Sequence, residues 1–227
     1  MSTIAALILP FALMQAADAA PSLGQSHIQQ RFAQCIALID EDAAAAYEEG
    51  MAWAAEAQSV HAYRCAAMAL VAQSRYEEGA RRLDSLGMAL NPVETALRAE
   101  LFSQAGNAWL LAREPSRARS SFTRGIAIME GDTAQLPDLL IDRSRAYAME
   151  REWRAAEEDL SRALDVRAND PLALRLRASV RMQQRAFDLA EADAQAAISA
   201  EPDNVDNYLI LGHVRESRRI GAPVDAQ

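Results

Sequence analysis

Lysine is absent, and all 23 basic residues of this 227-residue chain are arginine. A phosphate-cradling G-x-x-x-x-G-K-[ST] loop is therefore impossible, and G-x-G-x-x-G, G-x-S-x-G and H-E-x-x-H are missing too. Histidine is nearly absent: His27, His61 and His213 stand in three distant stretches, so neither a metal ligand set nor a histidine-based catalytic pair is indicated, and each reads as a surface residue. Glycine (9), proline (8) and aromatics (6%) are scarce, which excludes a β-sandwich, a barrel or a disordered chain. Positive charge is in deficit, at a net -9. The doublets Arg81/Arg82 and Arg218/Arg219 are too short and too mixed with acids for a nucleic-acid patch, and no anionic membrane surface is expected to bind. Carboxylate neighbours such as Glu48/Glu49 and Glu157/Glu158 splay around a helix rather than converge on a cleft. No catalytic residue, metal or cofactor is expected. In abundance is alanine, at 49 residues, and with it the expectation of an all-α chain.

The one sustained apolar run is Ile4 to Met14, too short for a membrane-spanning helix and of the length of a signal-peptide core. Ala17 and Ala19 follow as the small residues of an A-x-A cleavage site, so residues 1–19 are expected to be a signal peptide and the mature chain to begin at Ala20. No Lys or Arg precedes the core, which leaves open a true start further upstream or an uncleaved anchor; a separate alternative is an apolar first helix packed on the domain. The expected location is outside the inner membrane, in the periplasm, with no membrane span in the mature chain.

Residues 137–170 and 171–204 align without a gap at a spacing of 34. Places eight, eleven, seventeen, twenty, twenty-four and twenty-seven hold Ser144, Tyr147, Trp153, Ala156, Leu160 and Ala163, and then Ala178, Arg181, Phe187, Ala190, Ala194 and Ala197. Small residues at eight, twenty and twenty-seven let paired helices approach closely. Turns fall at A-N-D-P (168–171) and E-P-D-N (201–204). Residues 99–132 keep the register, with Gly106, Trp109, Ala118, Phe122 and Gly125, and a four-residue insert follows. Residues 60–93 keep it with Tyr63, Ala67, Tyr76, Gly79 and Leu83. Y-E-E-G at 47–50 precedes the same tetrapeptide at 76–79 by only 29 residues, so residues 31–59 read as a degenerate first repeat with a clipped first helix and a clipped linker to the next unit, after a short linker over 20–30. Tyr208, Leu211 and Gly212 restart the pattern in a capping helix over 205–219, followed by a flexible tail over 220–227.

On these residues the chain resembles the tetratricopeptide-repeat family over about residues 31–219, of an exported bacterial type. The resemblance implies a right-handed α-solenoid of stacked helix-turn-helix repeats whose first helices line a concave groove for a protein or peptide. Three departures stand out: Arg143 and Arg177 replace leucine at place seven, tryptophan is missing at place four, and Pro115 occupies place seventeen. Pro115 suits the first turn of a helix. Arg143 and Arg177 are expected to lay their stems along the helix seam and keep their guanidinium groups wet.

In the resembled family the groove is lined by places two, five, nine, twelve and thirteen, which here hold Arg64, Met68 and Val71; Ser103, Asn107 and Leu110; Ile141, Arg145 and Met149; and Arg175, Ser179 and Met182. The expected binding residues are Arg64, Met68, Ser103, Asn107, Arg145, Met149, Arg175 and Met182. Three arginines facing one concavity favour a ligand with a carboxylate or acidic segment. The competing reading pairs them internally with Glu100, Asp138 or Asp142. The lysine/asparagine clamp by which some family members hold a C-terminal carboxylate is not reproduced. Cys35 and Cys65 fall at places five and six of successive first helices, and a disulfide and two buried thiols are equally open readings. The expected function is a non-catalytic exported adaptor; the alternatives are a self-assembling structural solenoid, or an anchored regulator if residues 1–19 are retained.

Overall fold

The computed structural model describes residues 23–223 apart from 130, 132 and 133, with side chains from residue 27 onward. The proposed signal segment and its cleavage site lie outside the described residues. Regular structure among the described residues is entirely α-helical: α1 (Leu23–Glu41), α2 (Ala43–Ala57), α3 (Val60–Ala72), α4 (Tyr76–Ala89), α5 (Thr95–Leu111), α6 (Pro115–Ile128), α7 (Leu136–Met149), α8 (Trp153–Val166), α9 (Pro171–Gln183), α10 (Phe187–Ala200) and α11 (Val205–Ile220). Each helix packs on its neighbours in sequence, and α1 with α3, α5 with α7 and α9 with α11 add contacts along the inner row of the solenoid. Proline starts three of the helices, Pro115 and Pro171 at the first position of α6 and α9 and Pro137 at the second of α7, where the missing N–H has no helical partner to lose.

The beginning of the chain differs from its expected layout. Residues 20–30 are not a linker throughout, because α1 starts at Leu23, and at 19 residues α1 is the longest helix described rather than a clipped one. The length missing between the two Y-E-E-G runs comes from the end of α2, which stops ten residues after Tyr47 where α4 continues for thirteen after Tyr76, and from the connection to α3, which is Gln58 and Ser59 alone. Only Asp42 separates α1 from α2, whereas three residues separate the helices of each later pair. Asp42 manages both ends: its N–H donates to the Leu38 carbonyl at 2.8 Å, and its carboxylate accepts from the Ala44 and Ala45 amides at 3.0 Å. At the other terminus α11 runs to Ile220 and Gly221 ends it in the left-handed region at φ 70, so helix replaces the first residue of the expected tail.

Alanines at the small places of the register, Ala118, Ala156, Ala163, Ala178, Ala190 and Ala197, are fully buried, and Phe102, Phe122, Leu140 and Leu160 fill the space between helices. Gly106 shows why place eight must be small, since a Cβ there would come within 2.5 Å of the Phe122 ring. Within each of the four later hairpins the turn puts a residue of place fifteen in the left-handed region: Ser74, Arg113, Arg151 and Arg185, at φ 59 to 64. The amide that follows each of them reaches back to the last helical turn, as in Glu114 N to Trp109 O at 2.9 Å, closing a Schellman-type end without glycine.

The place-seven arginines do not stay wet. Arg143 forms a bidentate pair with Asp159 at 2.7 Å, and its third nitrogen donates to Thr123 Oγ1 at 3.1 Å. One repeat later Arg177 pairs with Asp193 at 2.8 and 2.9 Å and donates to Ser161 Oγ at 3.1 Å. Asp159 and Asp193 are buried, so the guanidinium groups are drawn into the seam by their partners instead of reaching for solvent. Arg181 adds a second bond to Asp193 at 2.8 Å and one to Glu157 at 2.7 Å. In the preceding repeat the same seam is carried by Asp84, which accepts from Trp109 Nε1 at 2.8 Å and Ser121 Oγ at 2.7 Å.

Candidate groove site

The first helices of the repeats bring the expected groove residues into one row, but only part of that row is open. Arg64 is buried: it donates to Gln104 at 3.0 Å and to both carboxylate oxygens of Glu100, and lies 4.9 Å over the Phe32 ring. The long α1 supplies Phe32 and closes this end of the groove. Met68 is half-buried beside it. Arg175 is held at the other end by Asp206 at 3.5 Å and by Asn207 Oδ1 at 3.4 Å, both on α11. Met182 is fully buried and does not line the groove, because α11 covers α9 and packs Ile210 and Val214 against it. Ile141 is buried too, and Val71 turns toward α4, where it would meet a Cβ at Gly79. Ser179 is half-buried.

The middle remains open. Asn107, Leu110, Leu111, Arg145 and Met149 line a recess of about 400 Å³ between α5 and α7. Leu111 and Met149 are 54% and 47% exposed, unusual for apolar side chains pointing into a shared recess. Asn107 donates to the Ser103 carbonyl at 3.2 Å and to Asp142 at 2.9 Å. Arg145 has one ion-pair partner, Asp142, at 3.3 Å within its own helix, and its side chain is 51% exposed. Burial pushes the Asp142 carboxyl up from the usual carboxylate range, opposed by the Asn107 hydrogen bond and the Arg145 charge. Leu111 was missed by sequence reasoning, although its place thirteen, the place of Met149, was the available signal.

His61 also sits on the inner row, half-buried rather than on the surface, with its ring 5.4 Å from Phe32 and its Nδ1 without a partner. Burial, and then the Arg64 charge, lower its pKa. The folded state therefore resists protonation that the unfolded chain accepts, and the stability His61 contributes is present above the unfolded histidine pKa and lost as pH falls through it toward the lower folded value. His61→Phe is expected to gain on the parent as pH drops from about 7 to about 5, by at most about 1.4 kcal/mol per pH unit in denaturant titrations. A pH-independent difference between the two would remove this assignment.

Among the described residues no group of three His, Cys, Asp or Glu side chains is placed to hold a metal ion, and no helix is long and apolar enough to cross a membrane. No protein-family model matches the chain, and no curated protein matches it. Solved structures do. The chain is similar to YrrB, described as a TPR protein with an unusual peptide-binding site, at 16% identity and a TM-score of 0.60 over 85% of this chain and 91% of that one. It is similar to the C-terminal TPR-containing domain of a putative FK506-binding protein of Plasmodium falciparum, at 14% identity and a TM-score of 0.52 over 60% and 97% of the two chains. The TPR domain of Arabidopsis OM64 matches at 21% identity and a TM-score of 0.50 over 56% and 98%. The fold is that of a tetratricopeptide-repeat solenoid.

Proposed function

We propose that the chain is a non-catalytic adaptor that binds a peptide or protein segment in the recess between α5 and α7. The observation that carries this reading is the recess itself: two exposed apolar side chains, Leu111 and Met149, flank the open guanidinium of Arg145 and the Asn107 amide. Such a site suits an extended segment that offers one apolar side chain and, next to it, a carboxylate for bidentate pairing with arginine. The description of YrrB as having a peptide-binding site is in keeping with this use of the fold. Export to the periplasm belongs to the same proposal, resting on the Ile4 to Met14 core and the Ala17/Ala19 site, and the Cys35–Cys65 disulfide is at home in an oxidising compartment.

One experiment tests both parts. Tagged chain recovered from periplasmic extract is expected to have an intact mass beginning at Ala20 and to carry a bound partner. Arg145→Gln is expected to weaken that capture by about 1–3 kcal/mol while leaving helicity and melting nearly unchanged, because the Arg145 side chain is 51% exposed and Asp142 keeps its hydrogen bond from Asn107. Arg175→Glu is a different case, since it sets a carboxylate against Asp206 and loosens α11. Undiminished capture by the Arg145 variant would move the binding site elsewhere, and a full-length mass or a cytoplasmic location would overturn export.

A further inference from the structure

The open recess ends at the hairpin turns. Leu111 and Met149 are the last residues of α5 and α7, at place thirteen of successive repeats, and two residues beyond each stands an arginine at place fifteen, Arg113 and Arg151. Both are in the left-handed region, at φ 59 and 60, where glycine is the less strained choice. Both are exposed, and among the described residues their side chains make no hydrogen bond, ion pair or ring contact. Elsewhere the same place is engaged: Arg185 donates to the Gly221 carbonyl at the closed end, and Ser74 Oγ accepts from Tyr76 Oη at 3.2 Å. The acids of these turns do not answer the two arginines. Glu114 faces Arg117 at 3.9 Å, Glu150 faces Arg119 at 3.3 Å, and Glu152 stands at the N-cap of α8, the positive end of that helix. Leu111 also lines a second cavity, of about 470 Å³, between the α3–α4 and α5–α6 turns. Its other cations, Arg75 and Arg81, are paired with Glu78 and Glu77, which leaves Arg113 open. Left-handed backbone with no contact to offset it points to a role outside the fold.

We propose that the segment bound in the recess runs on across Leu111 and out between the two turns, where Arg113 and Arg151 take carboxylates of an acidic stretch inside a partner chain. This rests on the adaptor reading of the recess and adds the chemistry of the partner. Arg145 lies six residues before Arg151, about 9 Å along the helix or about three residues of extended chain. A segment with an acid at each end of that span and a leucine-like side chain between them, against Leu111 and Met149, meets every open group of the site. Arg113 and Arg151 straddle the exit about one helix spacing apart, roughly 8–10 Å, so either can take a departing carboxylate in bidentate fashion. Because the recess is open at this edge, the partner chain passes through it, and the acids are internal to that chain rather than its C-terminal carboxylate.

The test uses the purified chain, Cys35–Cys65 intact, and two short fluorescein-labelled peptides with amidated C-termini. One carries E-L-S-E in a Gly/Ser background, and the other has its second Glu replaced by Gln. At about 0.15 M salt, where charges beyond about 8 Å are screened, the parent is expected to prefer the two-carboxylate peptide in anisotropy titrations. Arg113→Gln combined with Arg151→Gln is expected to weaken that peptide at least about tenfold and to erase the preference, as two changes to one contact do in a double-mutant cycle. Arg162→Gln with Arg219→Gln, which removes two exposed arginines of α8 and α11, is expected to bind as the parent does. Arg113→Gly with Arg151→Gly is expected to lose the same affinity while melting no lower than the parent. Equal binding of both peptides by the parent, or an equal loss from the 162/219 control, overturns the proposal and leaves the recess to the Arg145 variant. So does a glycine variant that unfolds earlier than the parent, since the arginines would then serve the turns. A parent that binds neither peptide overturns it too, and capture from periplasmic extract decides the adaptor reading separately.

Discussion

Replacing Asp193 with alanine is expected to destabilise the folded chain by about 3–5 kcal/mol, the range for removing one partner of a buried ion pair. The carboxylate is buried and accepts from two arginines, Arg177 and Arg181, whose side chains are only 17% and 15% exposed. Without it Arg177 keeps only the Ser161 hydroxyl, whereas Arg181 keeps Glu157 at 2.7 Å. The loss should therefore come mainly from one stranded charge. Combining Arg177→Leu with Asp193→Leu is expected to restore most of the stability, because it removes both charges and leaves an apolar contact of similar size. Urea titrations of the three proteins decide it: a single variant within about 1 kcal/mol of the parent would show that water already solvates this pair. Asp159, which pairs with Arg143 one repeat earlier, should behave in the same way.

Reducing the disulfide is expected to cost roughly 3–4 kcal/mol in the chain-entropy account of a crosslink closing a loop of this length. Cys35 on α1 and Cys65 on α3 are joined, with their Cα atoms 6.2 Å apart and a sequence separation of 30, and both are buried. Among the described residues α1 packs mainly on α2 and α3, so the loss should be concentrated at this end of the solenoid. Hydrogen exchange with and without reductant is expected to show α1 and α2 deprotected first while α7 to α10 keep their protection. Equal guanidinium midpoints for the oxidised and reduced proteins would show that packing, not the crosslink, holds α1 in place.

Helix number and pairing beyond residue 60 were legible because every determinant is local. Small residues at fixed places, prolines in first turns and Asp or Asn at Asp170 and Asn204 each act within one hairpin. The first pair was misread for the same reason. Its short spacing was visible in the repeated Y-E-E-G, but that the deletion fell in the end of α2 and the two-residue connection to α3, leaving α1 long, was decided by how these helices pack. The seam pairs lay in the sequence as well. Arg143 with Asp159 and Arg177 with Asp193 are each sixteen residues apart, the distance that spans one hairpin from place seven to place twenty-three. Recognising them required asking which acid could follow a place-seven arginine into the interior.

The groove separates the two kinds of information most clearly. The sequence by itself determined an all-helical repeat chain and the row in which groove residues must stand, since register alone decides which side chains share a face. It could not decide which of them remain open, because that depends on elements far away in sequence: Phe32 on α1 lies under Arg64, and α11 claims Arg175 and Met182. Tertiary structure therefore decided that Arg145 alone, of the three groove arginines, keeps an exposed guanidinium, with Leu111 and Met149 beside it. The physical reason is competition for charge and apolar contact at the two ends of the row, where α1 and α11 stand and turn the inner face into core.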